Sequence, residues 1–190
     1  MNSYCINLKK RSDRWRNVQP EFRKLGVKPH RFIAIYRNDG HQGCIESHLE
    51  LLSQVKKDQI FAIFEDDILA LGTGKDIQRA MDQLPHDWDM LYLGATLTKP
   101  LEKYSENLFR LQGGLTTHAI IYNNQHQVCD HIIALHDTPQ VDVFMMRVQE
   151  QFKCFIAYPM IVSQAPGKSD IIDRYTDYSE IQETYKKYTE

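Results

Sequence analysis

Glu65, Asp66 and Asp67 are consecutive carboxylates that follow directly on the apolar run Ile60-Phe61-Ala62-Ile63-Phe64. Adjacent carboxylates repel one another and resist desolvation, so a core strand does not end this way without a reason. A divalent cation removes both problems. In an extended chain Glu65 and Asp67 point to one side and can face a single ion, while Asp66 points the other way. The plainer alternative is a strand followed by a solvated acidic turn. Further acids stand at Asp142, isolated in an apolar stretch, and at Asp170. Cys44 and His48 have the spacing of a helical metal pair, but two soft ligands alone are weak evidence, and the expected reading is a packed thiol and a hydrogen-bonded imidazole.

The elements that must position these groups alternate strand and helix. Ser3 to Leu8 reads as a strand and leads into a helix carrying Trp15, Val18 and Phe22, with Ser12 or Asp13 as its cap and Gly26 at its end. Arg31 to Tyr36 reads as a second strand. Basic side chains at the first strand-to-helix turn are placed to meet phosphate oxygens. The loop Asn38 to Cys44 feeds a helix from about Ile45 to Lys57, with Ser47 and His48 in its first turn, near the positive end of the dipole. The apolar run before Glu65 is a strand buried on both faces, and in open α/β sheets ligands collect at such carboxyl ends. Gly72-Thr73-Gly74-Lys75 lacks the full phosphate-loop frame and follows the carboxylates rather than leading into them, so it is set aside. Strands are expected at Asp87 to Gly94, Asn107 to Leu111 and Thr116 to Tyr122. A helix around Gln125 to Leu135 turns Val128, Ile132 and Leu135 inward. Ser179 and Gln182 form a capping-box pattern on a last helix whose stripe is Tyr178, Ile181, Tyr185 and Tyr188.

A chain of 190 residues fits one domain, 1–190, with a helical tail over about 171–190 and no linker or repeat. Net charge is −2 and the pI about 6.4, so no basic field points to nucleic acid or a membrane surface. The four cysteines are scattered without a CxxC pair and read as reduced thiols, with no structural zinc site expected. No signal peptide precedes the first strand and no apolar run is long enough to span a membrane. The expectation is a soluble, cytoplasmic protein, with a homodimer through the tyrosine-rich tail as one use of that stripe.

The order of motifs resembles family 25 of the glycosyltransferases, the lipopolysaccharide and procollagen galactosyltransferase group. The stretches that carry the resemblance are Ile6 to Trp15, Gly43 to Leu49, Ile63 to Ile68, Trp88 to Gly94, Thr117 to Ile121 and Val141-Asp142. Pro159 with Gln164 and Ser169 to Ile171 closes the series, which covers most of the chain. Tyr36 to Gln42 stands where the family carries a long variable loop, and the acidic motif is Glu-Asp-Asp rather than a strict Asp-x-Asp. The resemblance implies a GT-A (Rossmann-like) α/β fold, a mixed, mainly parallel sheet flanked by helices. It also implies a UDP-sugar donor of galactose or glucose, manganese or magnesium as cofactor, and inversion at the anomeric centre. The acceptor would be a hydroxyl of a glycan, a lipid-linked sugar or a protein.

Within that resemblance Asp67 is the first choice as direct metal ligand, with Glu65 joining through water or touching the ribose. Arg11 and Arg14 are the candidates for nucleotide or diphosphate contact, with an ion pair to nearby Asp13 or another acid as the alternative. Asn7, Ser47, His48 and Asp66 fall on the donor side, and His118 either contacts donor phosphate or is a satisfied core histidine. Inversion needs a base on the acceptor hydroxyl. Asp142 is the choice, with a helix cap as its equal alternative, and Asp170 is the rival, either as base or as a further metal-side acid. Two other classes stay open: a metal-dependent phosphoesterase or nucleotidyltransferase, and a nucleotide-sugar-binding module without turnover.

Overall fold

The computed structural model describes residues 1–57, 59–138, 140–171 and 173–189. The chain opens with β1 (Asn2–Asn7), α1 (Ser12–Lys24), β2 (His30–Ile33), α2 (Gly40–Gln54) and β3 (Ile60–Glu65). A short β4 (Ile68–Ala70), α3 (Gly74–Met81) and β5 (Met90–Tyr92) follow. Next come β6 (Thr96–Leu97), β7 (Glu102–Lys103), β8 (Leu108–Arg110), β9 (Gly114–Leu115) and β10 (Ala119–Asn123), each antiparallel to its neighbours. The last third holds a 3-10 turn (Asn124–His126), α4 (Val128–Leu135), α5 (Val141–Gln151) and β11 (Cys154–Ala157). It closes with β12 (Val162–Gln164), β13 (Gly167–Lys168), β14 (Tyr175–Thr176) and α6 (Ser179–Thr189).

Eight strands form one sheet in the order β2-β1-β3-β10-β5-β11-β8-β7. β1 pairs parallel with β2 and β3, and β11 parallel with β5. β10 lies antiparallel between β3 and β5, so β5 runs the same way as β3. Following the pairings across, only β10 and β8 oppose the other six strands. The sheet is mixed and mainly parallel, with helices on both faces, as the alternation of elements predicts.

β3 lies inside this sheet, and its residues are buried on both sides. Phe61 and Ile63 pack with Leu51 and Leu52 of α2, Phe144 of α5 and Tyr185 of α6. Ala62 and Phe64 pack on the other face with Val18 and Phe22 of α1 and Ile77 of α3. That period of two makes the strand a fixed rod, and its carboxyl end inherits the rigidity.

Several boundaries differ from expectation for local reasons. α2 begins at Gly40, well before Ile45, because the Asp39 side chain accepts the His41 backbone N–H at 2.9 Å and caps the turn. The Asn38 to Cys44 loop is therefore largely helix. Val141 to Met146 belongs to α5, which places Asp142 in a first helical turn. Thr73 gives both its backbone N–H and its hydroxyl to Asp76, at 2.8 and 2.7 Å, so the Gly72 to Lys75 segment is a helix cap. Leu135 is 41% exposed instead of inward. At α6 the expected Ser179/Gln182 box is replaced by Asp177, which accepts the Ser179 N–H and hydroxyl at 3.2 Å each. Ile181 and Tyr185 are buried, Tyr178 and Tyr188 pack beside them, and the Tyr185 hydroxyl donates to the Ala157 carbonyl. Residues 172 and 190 of the expected tail lie outside the described residues. No helix among the described residues is long and apolar enough to cross a membrane, and all four cysteines are free.

Candidate functional site

A cleft of about 430 Å³ opens where β1 and β3 end, between the starts of α2 and α5. Ile35, Tyr36, Val141 and Val143 give it an apolar wall; Glu65, Asp66, Asp67, Asp142, His48 and Arg14 give it a polar floor. This is the carboxyl end of the parallel strands, where open α/β sheets place their ligands.

The acidic triplet reaches the cleft by a route that an extended chain does not allow. β3 stops at Glu65, and Asp66 and Asp67 form a turn into β4, which folds back to pair with β12. All three side chains therefore line the cleft, and the expected outward direction of Asp66 is corrected. Asp66 accepts from the Asn7 amide and from Arg14 Nη1, the latter at 2.8 Å. Arg14 Nη1 also lies 3.4 Å from Asp67, while its Nη2 donates to the Lys168 carbonyl at 2.7 Å. Burial holds the Asp66 carboxyl above its ordinary range in spite of Arg14 and Asn7. Burial, and then the Glu65 charge, push Asp67 up to about 7 against the pull of Arg14. Gln164 Nε2 is 3.3 Å from Asp67, so both partners of this carboxylate sit at long range.

Glu65 behaves in the opposite sense. Burial raises it, but His48, the Thr117 hydroxyl at 2.7 Å and His118 together hold it below the usual carboxylate range. His48 Nε2 lies 3.6 Å from Glu65 Oε1, within ion-pair distance but too long for a hydrogen bond. The ring is 3% exposed, and Nε2 has no hydrogen-bond partner among the described residues. At Nε2, therefore, the hydrogen bond expected of the imidazole is not made. Cys44 stands one turn before His48 on α2; its Sγ, a His48 ring nitrogen and a Glu65 oxygen all lie within 4.8 Å of one another. Burial, then the nearby Glu65 and Asp142 charges, push the Cys44 thiol up.

The start of α2 is clamped in place. A Cβ at Gly43 would lie 2.8 Å from the Ile35 carbonyl, so only glycine permits this approach. Ser47 Oγ accepts the Ile35 N–H at 2.8 Å and donates to the Gly43 carbonyl at 2.6 Å. Ser47 reaches the cleft wall, yet its hydroxyl is spent on this clamp.

Asp142 lies in the first turn of α5 and lines the cleft beside Thr116, a β-branched residue held at φ 71°. Burial, then Glu65, raise its carboxyl to about 6, with His48 drawing it down. Asp170 reaches the rim of the same cleft but is ion-paired with Arg11. Arg11 also holds Asp13 at 3.1 Å and does not line the cleft, so its expected donor contact is not supported by its position. Asn7 is 1% exposed and acts as a brace: it donates to Asp66 and to the Arg11 carbonyl at 3.0 Å, and accepts Arg31 Nε at 2.7 Å. His118 is fully buried outside the cleft. Its Nε2–H donates to the Val162 carbonyl at 3.1 Å, leaving Nδ1 to accept from the Thr116 hydroxyl at 3.1 Å. Burial lowers its pKa, and it is a satisfied core histidine.

The fold therefore gathers Glu65, Asp66, Asp67, Arg14, His48, Ser47, Asp142 and Asp170 at one cleft and keeps Asn7, Arg11 and His118 behind it. Sequence reasoning gave no role to Thr117 or Gln164 and gave Cys44 no third partner. Thr117 and Gln164 lay in quoted motifs, but only the folded chain brings them to the triplet.

No family model matches the chain, and no curated protein matches it. Among solved structures, the inositol-1-phosphate CTP transferase from T. maritima aligns with all of this chain and 79% of its own, at 12% identity and a TM-score of 0.45. The mannose-1-phosphate geranyltransferase from Thermus thermophilus aligns with 80% of this chain and 57% of its own, at 8% identity and a TM-score of 0.35.

Proposed function

We propose that this protein is a metal-assisted glycosyltransferase of the family 25 kind. In this reading it moves galactose or glucose from a UDP-sugar to a hydroxyl of a glycan, lipid-linked sugar or protein, with inversion. One observation carries the reading: four carboxylates, Glu65, Asp66, Asp67 and Asp142, line one cleft at the carboxyl end of the sheet, where Arg14 pairs with two of them, Asp66 and Asp67. A cleft so crowded with acid is costly to keep dry and empty of cations. The long contacts of Asp67 leave hard oxygen donors of the type that manganese or magnesium takes, which supports the fit of such an ion. Asp67, with Glu65, would hold it, and when bound it would supply Lewis-acid neutralisation of charge on the departing nucleotide.

The remaining roles belong to the chain. Arg14 balances Asp66 and offers its guanidinium edge to phosphate oxygens. Ile35, Tyr36 and Val143 offer an apolar wall for a base or sugar ring. Asp142 accepts the acceptor hydroxyl proton as the glycosidic bond forms. With a pKa of about 6 it is ionised at neutral pH and still basic enough to serve. Asp170, tied to Arg11, is the weaker choice.

The test is a thermal-shift panel of UDP-galactose and UDP-glucose with and without manganese, followed by product analysis with candidate acceptors. The expected result is a stabilisation that needs both metal and donor, and release of UDP with sugar transferred. Pyrophosphate or phosphate release without transfer would replace this reading by nucleotidyl transfer or phosphoester hydrolysis. Binding with no turnover on any acceptor would reduce it to a binding module.

A further inference from the structure

We propose that Cys44, His48 and Glu65 form a second cation site in the floor of the cleft, adjoining the proposed hard-metal site and sharing Glu65 with it, built for a borderline-soft divalent transition ion of the zinc class. The three donor atoms already lie within 4.8 Å of one another. A tetrahedral ion with bonds of about 2.0–2.3 Å holds its ligands roughly 3.3–3.7 Å apart. The His48–Glu65 separation of 3.6 Å falls inside that interval before any ion is added.

The second observation is the state of His48. A ring nitrogen in a 3% exposed side chain, without a hydrogen-bond partner among the described residues, is uncommon and needs a reason. The Glu65 carboxylate lies 3.6 Å from it, and the Cys44 thiol belongs to the same cluster of donor atoms. An ion between the three satisfies all of them at once. A purely structural histidine in this fold looks different: His118 has both ring nitrogens bonded.

The supports are those of a built site. Cys44 and His48 project from one face of α2, whose start is fixed by the Asp39 cap and by the Gly43–Ser47 clamp. Glu65 ends the buried rod of β3, and the Thr117 hydroxyl donates at 2.7 Å to Oε1, the carboxylate oxygen that lies nearest His48, fixing its orientation as outer-shell groups do in metal sites. Thiolate, imidazole and carboxylate together favour zinc or cobalt over manganese or magnesium. Cys44, His48 and Glu65 all line the cleft, so a fourth position is open to it; three protein ligands with an open position characterise catalytic rather than closed structural sites.

This site does not depend on sugar transfer, and its probe is the metal alone. The full chain, stripped with a chelator, is titrated with cobalt(II) and then zinc in the absence of nucleotide. We expect one tight equivalent, a tetrahedral cobalt spectrum with a sulfur-to-cobalt charge-transfer band, and displacement of that band by zinc. Cys44→Ser should remove the band and weaken zinc binding at least ~10–100-fold. Glu65→Gln, at a partly exposed position, should weaken zinc comparably while keeping the sulfur band, which guards against a Cys44 variant that folds poorly. Cys129→Ser should keep band and affinity, because that thiol lies elsewhere in the core. A folded wild type without a sulfur band at saturating cobalt overturns the site, as does a Cys44→Ser variant with unchanged band and affinity. Asp67→Asn should leave zinc binding intact. Failure of the donor site therefore appears in Asp67→Asn, and failure of this site in Cys44→Ser.

Discussion

Gln149 is buried and Asp67 half-buried in this fold, and the surroundings of these two polar groups differ in kind. Gln149 is fully buried on α5, where its carbonyl accepts the N–H groups of Gly113 and Gly114 at 2.9 and 2.8 Å and its amide donates to the Gly114 carbonyl at 2.8 Å. Nearby, Asp89 accepts the Lys153 N–H at 2.8 Å and Asn123 donates to the Trp88 carbonyl at 2.9 Å. At the cleft the pattern reverses. Asp67 has only long partners, His48 Nε2 has none among the described residues, and two adjacent acids, Asp66 and Asp67, share Arg14. A satisfied buried polar group ties backbone together; a strained or unpaired one costs stability that a ligand restores. The difference teaches which polar burial is architecture and which awaits a partner.

The largest effect that sharpens this contrast is on rate. Asp142→Asn should lower sugar transfer ~10²–10⁴-fold with donor binding unchanged, as loss of a general base does. Asp170→Asn should transfer within a few-fold of wild type. Kinetics on both variants check this, and a normal Asp142→Asn beside a dead Asp170→Asn would reverse the assignment.

The next effect is on stability. Gln149→Ala strands three backbone groups and should lower unfolding stability by ~2–3 kcal/mol in urea melts, leaving ligand binding intact. If the loss is under ~0.5 kcal/mol, the claim that this region is structural fails.

A smaller effect separates the regions by pH. Asp67 at about 7 and Asp142 at about 6 bind protons more tightly folded than unfolded, where carboxyls titrate near 4. Their contribution is therefore fully present below about pH 4 and is lost as pH rises through 6–7. Metal-free protein should gain ~1–2 kcal/mol on moving from pH 7.5 to pH 5.5, and the Asp67→Asn/Asp142→Asn double variant should lose that gain. Glu65, held low, acts with the opposite sign and only in more acidic solution. A flat profile for the wild type, measured by urea melts at each pH, would contradict the crowding of the cleft.

The smallest contrast lies between two arginines. Arg14→Ala should raise the apparent donor constant several-fold, while Arg11→Ala, whose side chain is turned to Asp13 and Asp170, should change it less than twofold. Titration of both variants decides it; equal losses would put Arg11 back at the donor.

How far these contrasts were legible from residues alone depended on their range. The apolar block Ile60 to Phe64 declared a buried strand, and the acids after it declared a special strand end, because both are local facts. The direction of Asp66 was not legible, since alternation holds only while the chain stays extended and here β4 turns back to pair with β12. Nor was the pairing of Arg11 with Asp170 or of Thr117 with Glu65, each made by distant segments. Cys44 and His48 advertised a spacing, but their third partner arrives from a different element. His118 and His48 read alike in sequence, and only their neighbours separate them.

The central claim is that the acid-crowded strand end is a metal-dependent nucleotide-sugar site. Its most direct test is calorimetric titration of a UDP-sugar into chelator-stripped wild type and Asp67→Asn, with and without manganese. The account predicts that manganese tightens binding at least ~10-fold in the wild type and does nothing for Asp67→Asn, which keeps its fold. Equal donor affinity for the two proteins in manganese would contradict it.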